Sequence, residues 1–211
     1  ANAPVSTNPA TRSASPSPTP AAADGPVNPA GDARIIDFVR ETYLPAISKS
    51  VEAETGYKTT FYGNSNRDKT KWTTYEGRPR FGTRARGIRG IVSILTEAYK
   101  YAPYKDRILC TKAIVDHLFR YAAEHRDTFT RLVGKVRTDT VARGRDPKPD
   151  DKVAVRAEIA RIPKNIMIHG WVEKVPEGAT GRRARTRPTK EKKTYEMEHW
   201  GAYKATHSVT R

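Results

Sequence analysis

The stretch Thr83-Arg84-Ala85-Arg86-Gly87-Ile88-Arg89 carries three guanidiniums close together, with Arg78 and Arg80 just before it. Guanidinium groups at such spacing do one kind of chemistry well: they take the oxygens of phosphates in pairs. The periodicity predicts that a helix opens here, and the helix dipole disfavours cations at that end by a few tenths of a kcal/mol up to ~1 kcal/mol. Three arginines at such a place are explained by phosphates around it, because a helix N-terminus itself attracts anions. The competing reading is a loop that happens to be basic. A second cluster, Arg182, Arg183, Arg185, Arg187, Lys190, Lys192 and Lys193, faces a single acid, Glu191. It reads as an RNA-binding tail, or as a disordered basic tail or targeting signal.

Aromatic residues stand among further bases. Thr59, Phe61, Trp72 and Tyr75 are spread between Lys58, Arg67, Lys69 and Lys71. Such rings stack on exposed nucleobases or pack a long loop, and the sequence leaves both open. Other chemistry finds few residues. There is no glycine-rich phosphate loop, no paired cysteine motif and no HExxH, and His117, His125, His169, His199 and His207 are scattered. No catalytic set, metal site, cofactor or small-molecule substrate is expected, so the chain does not read as an enzyme.

The totals point the same way. The 211 residues carry a formal net charge of +16, a pI near 10.1 and a mean hydropathy of -0.73. A basic excess of this size attracts a polyanion through counterion release. Residues 1–33 hold one base, Arg12, and two acids, Asp24 and Asp32, so the excess belongs to the remainder. The single cysteine, Cys110, excludes an internal disulfide and reads as a small core residue. No apolar run approaches the length of a membrane span.

The elements that position these residues follow from punctuation and period. Residues 1–31, rich in Ala, Pro, Ser and Thr, read as a low-complexity extension, either disordered or threading along a partner. Ala1 at its head reads as a trimmed initiator Met or as a removed presequence, of which this stretch, with Arg12 its only base before Asp24, would be what is left. Asp32 caps a short helix carrying Ile35, Ile36, Phe38, Val39 and Leu44, which Pro45 ends or kinks. Residues 56–82 read as an irregular basic loop with a hairpin around Gly63-Asn64-Ser65-Asn66. From Thr83, the spacing of Ile88, Ile91, Val92, Leu95 and Ala98 predicts a helix to about 101, broken by Pro103. A second helix runs over about 104–124, with Ile108, Thr111, Val115, Leu118, Phe119 and Ala122 on its apolar stripe. A shorter one carries Phe129, Leu132, Val133 and Val136, and residues 138–151 form a loop. Period-two alternation over 153–160, a turn at Pro163-Lys164-Asn165 and a second strand over 166–175 give a β-hairpin.

The expected fold is α+β: helices packed on a small C-terminal β-hairpin or sheet, with long irregular N- and C-terminal extensions. Residues 1–31 are one extension, 32–175 the basic body and 176–211 the basic C-terminal extension.

The order of these elements resembles large-subunit ribosomal protein seventeen of the bacterial and organellar type, over about residues 78–175. That family opens with a segment like His-Arg-x-x-Met-Phe-Arg-Asn-Met; Arg84 and Arg89 match its arginines, while its His, Met and Asn are absent. Residues 111–122 are similar to its second helix. Arg161, Asn165 and Val172-Glu173-Lys174-Val175 look like its final hairpin, with one residue inserted. The resemblance implies an rRNA-binding constituent of a large ribosomal subunit, with neighbouring ribosomal proteins as partners. The extensions suggest a mitochondrial version, in the matrix. The alternatives are a nucleocapsid or virion RNA-packaging protein, in the cytoplasm or a virion, and a structural subunit of another large assembly.

Overall fold

The computed structural model describes residues 19–180 and 186–210 and has an α+β fold. Residues 19–31, expected to belong to an extension, carry the central strand of a sheet. Strand β1 (Ala21–Asp24) lies between β2 (Thr59–Phe61), to which it is parallel, and β5 (Leu95–Ala98), to which it is antiparallel. Ala21 and Ala23 are buried. A strand of alanines offers little apolar area, but its thin profile lets α4 (Tyr104–Glu124) lie directly against it. The rest of the expected extension, residues 1–18, lies outside the described residues.

Asp32 caps α1 (Ala33–Asp37) by accepting from the Arg34 amide. The helical path then continues through a π-helical segment, Phe38–Tyr43, into α2 (Leu44–Thr55). Pro45 does not end it. The Leu44 amide reaches back to the Val39 carbonyl, and Pro45 enters in the first turn of α2, where a missing N–H costs least. Gly56, at φ 71, stops the run. The basic segment that follows is more regular than expected. Strand β3 (Asn64–Ser65) pairs with β4 (Lys71–Thr73). The turn between them lies at 66–70, where the Asn66 side chain accepts from the amides of Thr70 and Lys71.

Helix α3 (Gly82–Ile88) has 7 residues and does not run to 101. Gly90 leaves it at φ 70, and the chain becomes extended. Val92 and Ile94, two apart, pack into the core, and β5 follows as the partner that β1 requires. The helical spacing of Ile91, Val92, Leu95 and Ala98 is therefore coincidental. Helix α4 has the expected bounds but a different buried face: Cys110, Ala113 and Ile114 are buried, while Ile108 and Phe119 are exposed, Phe119 by 73%. Helix α5 (Arg126–Arg145) is 20 residues long and runs through most of the expected loop, since no proline interrupts it before Pro147.

The expected hairpin over 153–175 is one strand. β6 (Lys152–Lys174) pairs along its length with β7 (Arg187–Thr210), so the segment read as an irregular C-terminal extension is mostly sheet. At the expected turn the register slips: Ile162 faces His199 and Ile166 faces Met197, leaving surplus residues on β6. Pro163 has no N–H for a ladder, and a bulge takes it out of the pairing. β7 also lies parallel to β4, giving the order β3-β4-β7-β6.

The main core lies between α2, α4 and the β2-β1-β5 sheet, not on the C-terminal hairpin. Tyr43, Ile47, Val51, Cys110, Ala113 and Ile114 are buried there, with Phe38, Leu118, Tyr121 and Phe129 packed against them. The rings of Phe38 and Tyr43 each meet Phe129 edge to face at 5.1 Å, the favoured aromatic geometry. Burial pushes the Cys110 thiol up to about 12, so it stays a neutral core side chain.

Two outcomes are expected. Ile114→Ala lowers unfolding free energy by about 2–5 kcal/mol, whereas Phe119→Ala changes it by less than about 0.5 kcal/mol; urea unfolding of both variants compares them, and equal effects overturn this assignment of the buried face. The second concerns pH. Burial first, then the charge of Arg40, holds the His199 imidazole below its ordinary 6.5, and burial with Lys58 does the same to His169. The unfolded chain therefore takes up protons near 6.5 that the folded chain refuses. Stability is full above that value and falls as pH drops from it toward the depressed folded values. The urea midpoint is expected to decline between about pH 7 and pH 5, and less so in a His169→Asn, His199→Asn double variant.

Candidate nucleic-acid interface

The arginines singled out by sequence go to different places. Arg84 is not on the surface: its side chain is 0% exposed. It donates to the Asp24 carboxylate at 2.9 Å, to Thr74 Oγ1 at 3.3 Å and to the Gly25 carbonyl, with its guanidinium 4.1 Å from the Tyr75 ring centre. Burial pushes the Asp24 carboxyl up, and the guanidinium, the Thr74 hydroxyl and the Gly25 amide pull it back down. Arg84 thus has a partner 60 residues away in sequence and none in solvent. Arg78 and Arg80 are exposed and share Glu76, at 3.2 and 3.1 Å. Arg86 and Arg89 are exposed and have no ion pair among the described residues. Because α3 ends at Ile88, Arg89 sits at the carboxyl end of the helix. The dipole favours a cation there, the reverse of the expectation.

Arg182, Arg183 and Arg185 lie outside the described residues. Arg187, Lys190, Lys192 and Lys193 are exposed on β7, opposite the end of β6 that carries Trp171 and Lys174. They form a surface separate from Arg89.

Arg89 lines an open cleft of about 470 Å³ made by the start of α1, the end of α3, the face of α5 and the first residue of β6. Five cations line it, Arg34, Arg89, Arg137, Arg143 and Lys152, against one carboxylate, Asp32. Two glycines set its shape. A Cβ on Gly87 would stand 2.3 Å from Pro26 Cβ, so only glycine lets α3 approach the 26–31 segment. Gly90 combines φ +70 with a Cβ position 3.0 Å from Val136, which brings the end of α3 onto α5.

The cations then divide by partner. Arg34 bridges Asp32 and Asp139, both at 2.7 Å; Arg143 adds to Asp32 at 3.5 Å and Lys135 to Asp139 at 2.8 Å. Hydrogen bonds from Arg34 hold the Asp32 carboxyl below its ordinary value, and those from Lys135, then Arg34, hold Asp139 low. This network fixes the wall. Arg89, Arg137 and Lys152 have no ion pair among the described residues and are left to act on whatever enters.

No protein-family model, curated protein or solved structure matches the chain. The residues themselves carry the functional argument. Among the described residues, no helix is long and apolar enough to cross a membrane.

Sequence reasoning misses Arg34, Arg137, Arg143 and Lys152. The available signal is on α5: Arg137, Thr140 and Val141 have helical spacing, and the expected loop over 138–151 cuts short the helix they share. Arg34 and Lys152 carry no such signal, since each reaches the cleft only through tertiary packing.

Removing one partner of a buried ion pair leaves the other charge stranded, at a cost of about 3–5 kcal/mol. Arg84→Ala is therefore expected to lower unfolding free energy by that much, while Arg89→Ala leaves the thermal midpoint near wild type. A normal melt for Arg84→Ala contradicts its placement in the interior.

Proposed function

We propose that the chain is an RNA-binding structural constituent of a large ribonucleoprotein particle. The observation that carries this is the cleft where Arg89, Arg137 and Lys152 converge without carboxylate partners, on a chain of net charge +16. Cations gathered at one opening contact phosphates, and they position a particle component without reading sequence. The exposed cations Arg187, Lys190, Lys192 and Lys193 add a second contact surface on the hairpin. The particle proposed first is the large ribosomal subunit, of mitochondrial type, after the resemblance across residues 78–175. Within that stretch, 83–101 is a short helix followed by β5, and 161–175 is part of one bulged strand. Charge and the cleft, rather than that resemblance, support the proposal.

One observation favours a second reading, an RNA-packaging coat protein. β6 is the edge of its sheet over 23 residues. Apart from the His169 carbonyl, which accepts the Thr19 amide at 2.9 Å, that edge is a template for a second copy. Arg156, Arg161, Lys164 and the bulge at Pro163 oppose such pairing, so the particle-component reading comes first. Sedimentation with RNA separates the two: uniform shells made of this chain alone establish the coat.

Structured RNA is expected to bind with an affinity that falls steeply with salt. Each phosphate that a cation neutralises adds roughly 0.7–0.9 to the log–log salt slope, so an Arg89→Ala, Arg137→Ala, Lys152→Ala triple variant should reduce that slope by about two. Filter binding over a NaCl series measures this. An unchanged slope removes the cleft from the interface, and a flat salt dependence of the wild type removes the proposal.

A further inference from the structure

A second groove, of about 500 Å³, lies where the two sheets meet, bordered by β1, β3, the end of β5, β6 and β7. Its walls are aromatic: Tyr62, Trp72, Tyr99, Tyr101, Trp171 and Tyr195 all line it. On the face that β1 turns to this groove stands Ala22, where a larger side chain would fill the space, while Ala21 points the other way into the core. Several rings are fixed in place. Tyr99 stacks on Trp171 with centres 5.5 Å apart and planes 23° apart, and Tyr101 meets Tyr99 edge-on at 5.5 Å. Trp72 Nε1 donates to the Phe61 carbonyl at 3.0 Å.

The charges are arranged differently from those of the basic cleft. Lys69 and Lys100 line the groove together with Glu97 and Glu173, and Lys69 pairs with Glu173 at 3.1 Å. The wall is thus close to neutral, which does not suit a phosphate. Lysines with no ion pair among the described residues stand beside the rings: Lys100 lies 4.8 Å from the centre of Tyr101, and Lys193 lies 5.3 Å from that of Tyr195. Thr19 also borders the groove and is only 7% exposed; its amide donates to the His169 carbonyl at 2.9 Å, which ties the start of β1 to β6.

We infer that this groove takes unpaired nucleobases of single-stranded RNA, which stack on the Tyr101–Tyr99–Trp171 rings while their backbone runs outside past Lys100 and Lys193. The inference rests on the RNA reading above and adds a preference to it. The neutral aromatic wall accepts the flat, polar-edged base, and the flanking ammonium groups meet the phosphates. Bases paired in a duplex present no free face and cannot enter. The basic cleft, acting on phosphates, makes no such distinction.

The full chain is titrated with oligouridylate and, separately, with a blunt RNA duplex. Tyr101 is 45% exposed, so Tyr101→Ala leaves the fold intact; Trp171→Leu is the second variant. Both are expected to weaken oligouridylate binding by about 5-fold to 100-fold, the range that one base–aromatic stack contributes, and to leave duplex binding within about 2-fold. A 4-thiouridine-bearing strand is expected to crosslink to the peptide containing Trp171. Equal losses for single strand and duplex, or no loss for either, overturn the inference. So does quenching of tryptophan emission by a synthetic peptide of residues 1–18 but not by oligouridylate, which makes the groove a peptide site. Failure of this inference alone leaves duplex binding and its salt slope intact. Failure of the RNA reading removes duplex binding as well.

Discussion

The Asp24–Arg84 pair is the contact on which the rest of the architecture turns. Asp24 ends β1, the middle strand of one sheet; Thr74, which bonds both partners, follows β4 in the other; Arg84 stands in α3. Three separate pieces of chain are thereby held at one point inside the protein. Burying two charges brings a desolvation penalty, and such pairs contribute less to net stability than to the choice of one arrangement over others. Here the arrangement matters because Arg89 and Gly90 directly follow α3, and the same anchored helix sets where the basic cleft opens.

The two candidate surfaces follow from opposite physical rules. In the cleft, carboxylates pair with some cations and leave others unmatched among the described residues, so uncompensated positive charge lines the opening. In the groove, acids and bases nearly cancel and the rings dominate. One surface is suited to charge that every nucleic acid carries, the other to faces that only unpaired bases present. Both are formed at the joints between elements and not on any single element.

Legibility in the sequence tracks how local each determinant is. The Asp32 cap, the bounds of α4 after Pro103 and the small, buried role of Cys110 depend on neighbours within a turn or two, and all are readable. β1 is not, because three alanines carry no hydrophobic signal and their burial depends on what covers them. β7 is hidden for a different reason. Its lysines, threonines and glutamates lack a clean apolar alternation, and bulges shift the register along it. Pro163 reads as a turn anywhere else, and only a long partner strand turns it into a bulge. Arg84 reads as a surface residue because its carboxylate partner lies in a segment that looks like a featureless leader. Of the expected interface, only Arg84 among the described residues is buried; the other described cations stay on the surface, while the residues that converge with Arg89 emerge only from packing.

The wiring of the chain also sets how fast it can be assembled. The Tyr203 hydroxyl reaches the Tyr75 carbonyl across 128 residues, Arg34 meets Asp139 across 105, and β1 becomes a central strand only when β5 joins β2 beside it. Each such closure orders a long loop before any contact repays it. The α4–α5 pair needs only adjacent residues, yet it cannot bury its apolar face without the distant strands. Refolding is therefore expected on the scale of about milliseconds to seconds typical of non-local topologies, not the microseconds of a helical bundle. A freshly made chain passes that interval with a long strand edge and many cations exposed, which gives a polyanion the chance to engage before the fold is complete.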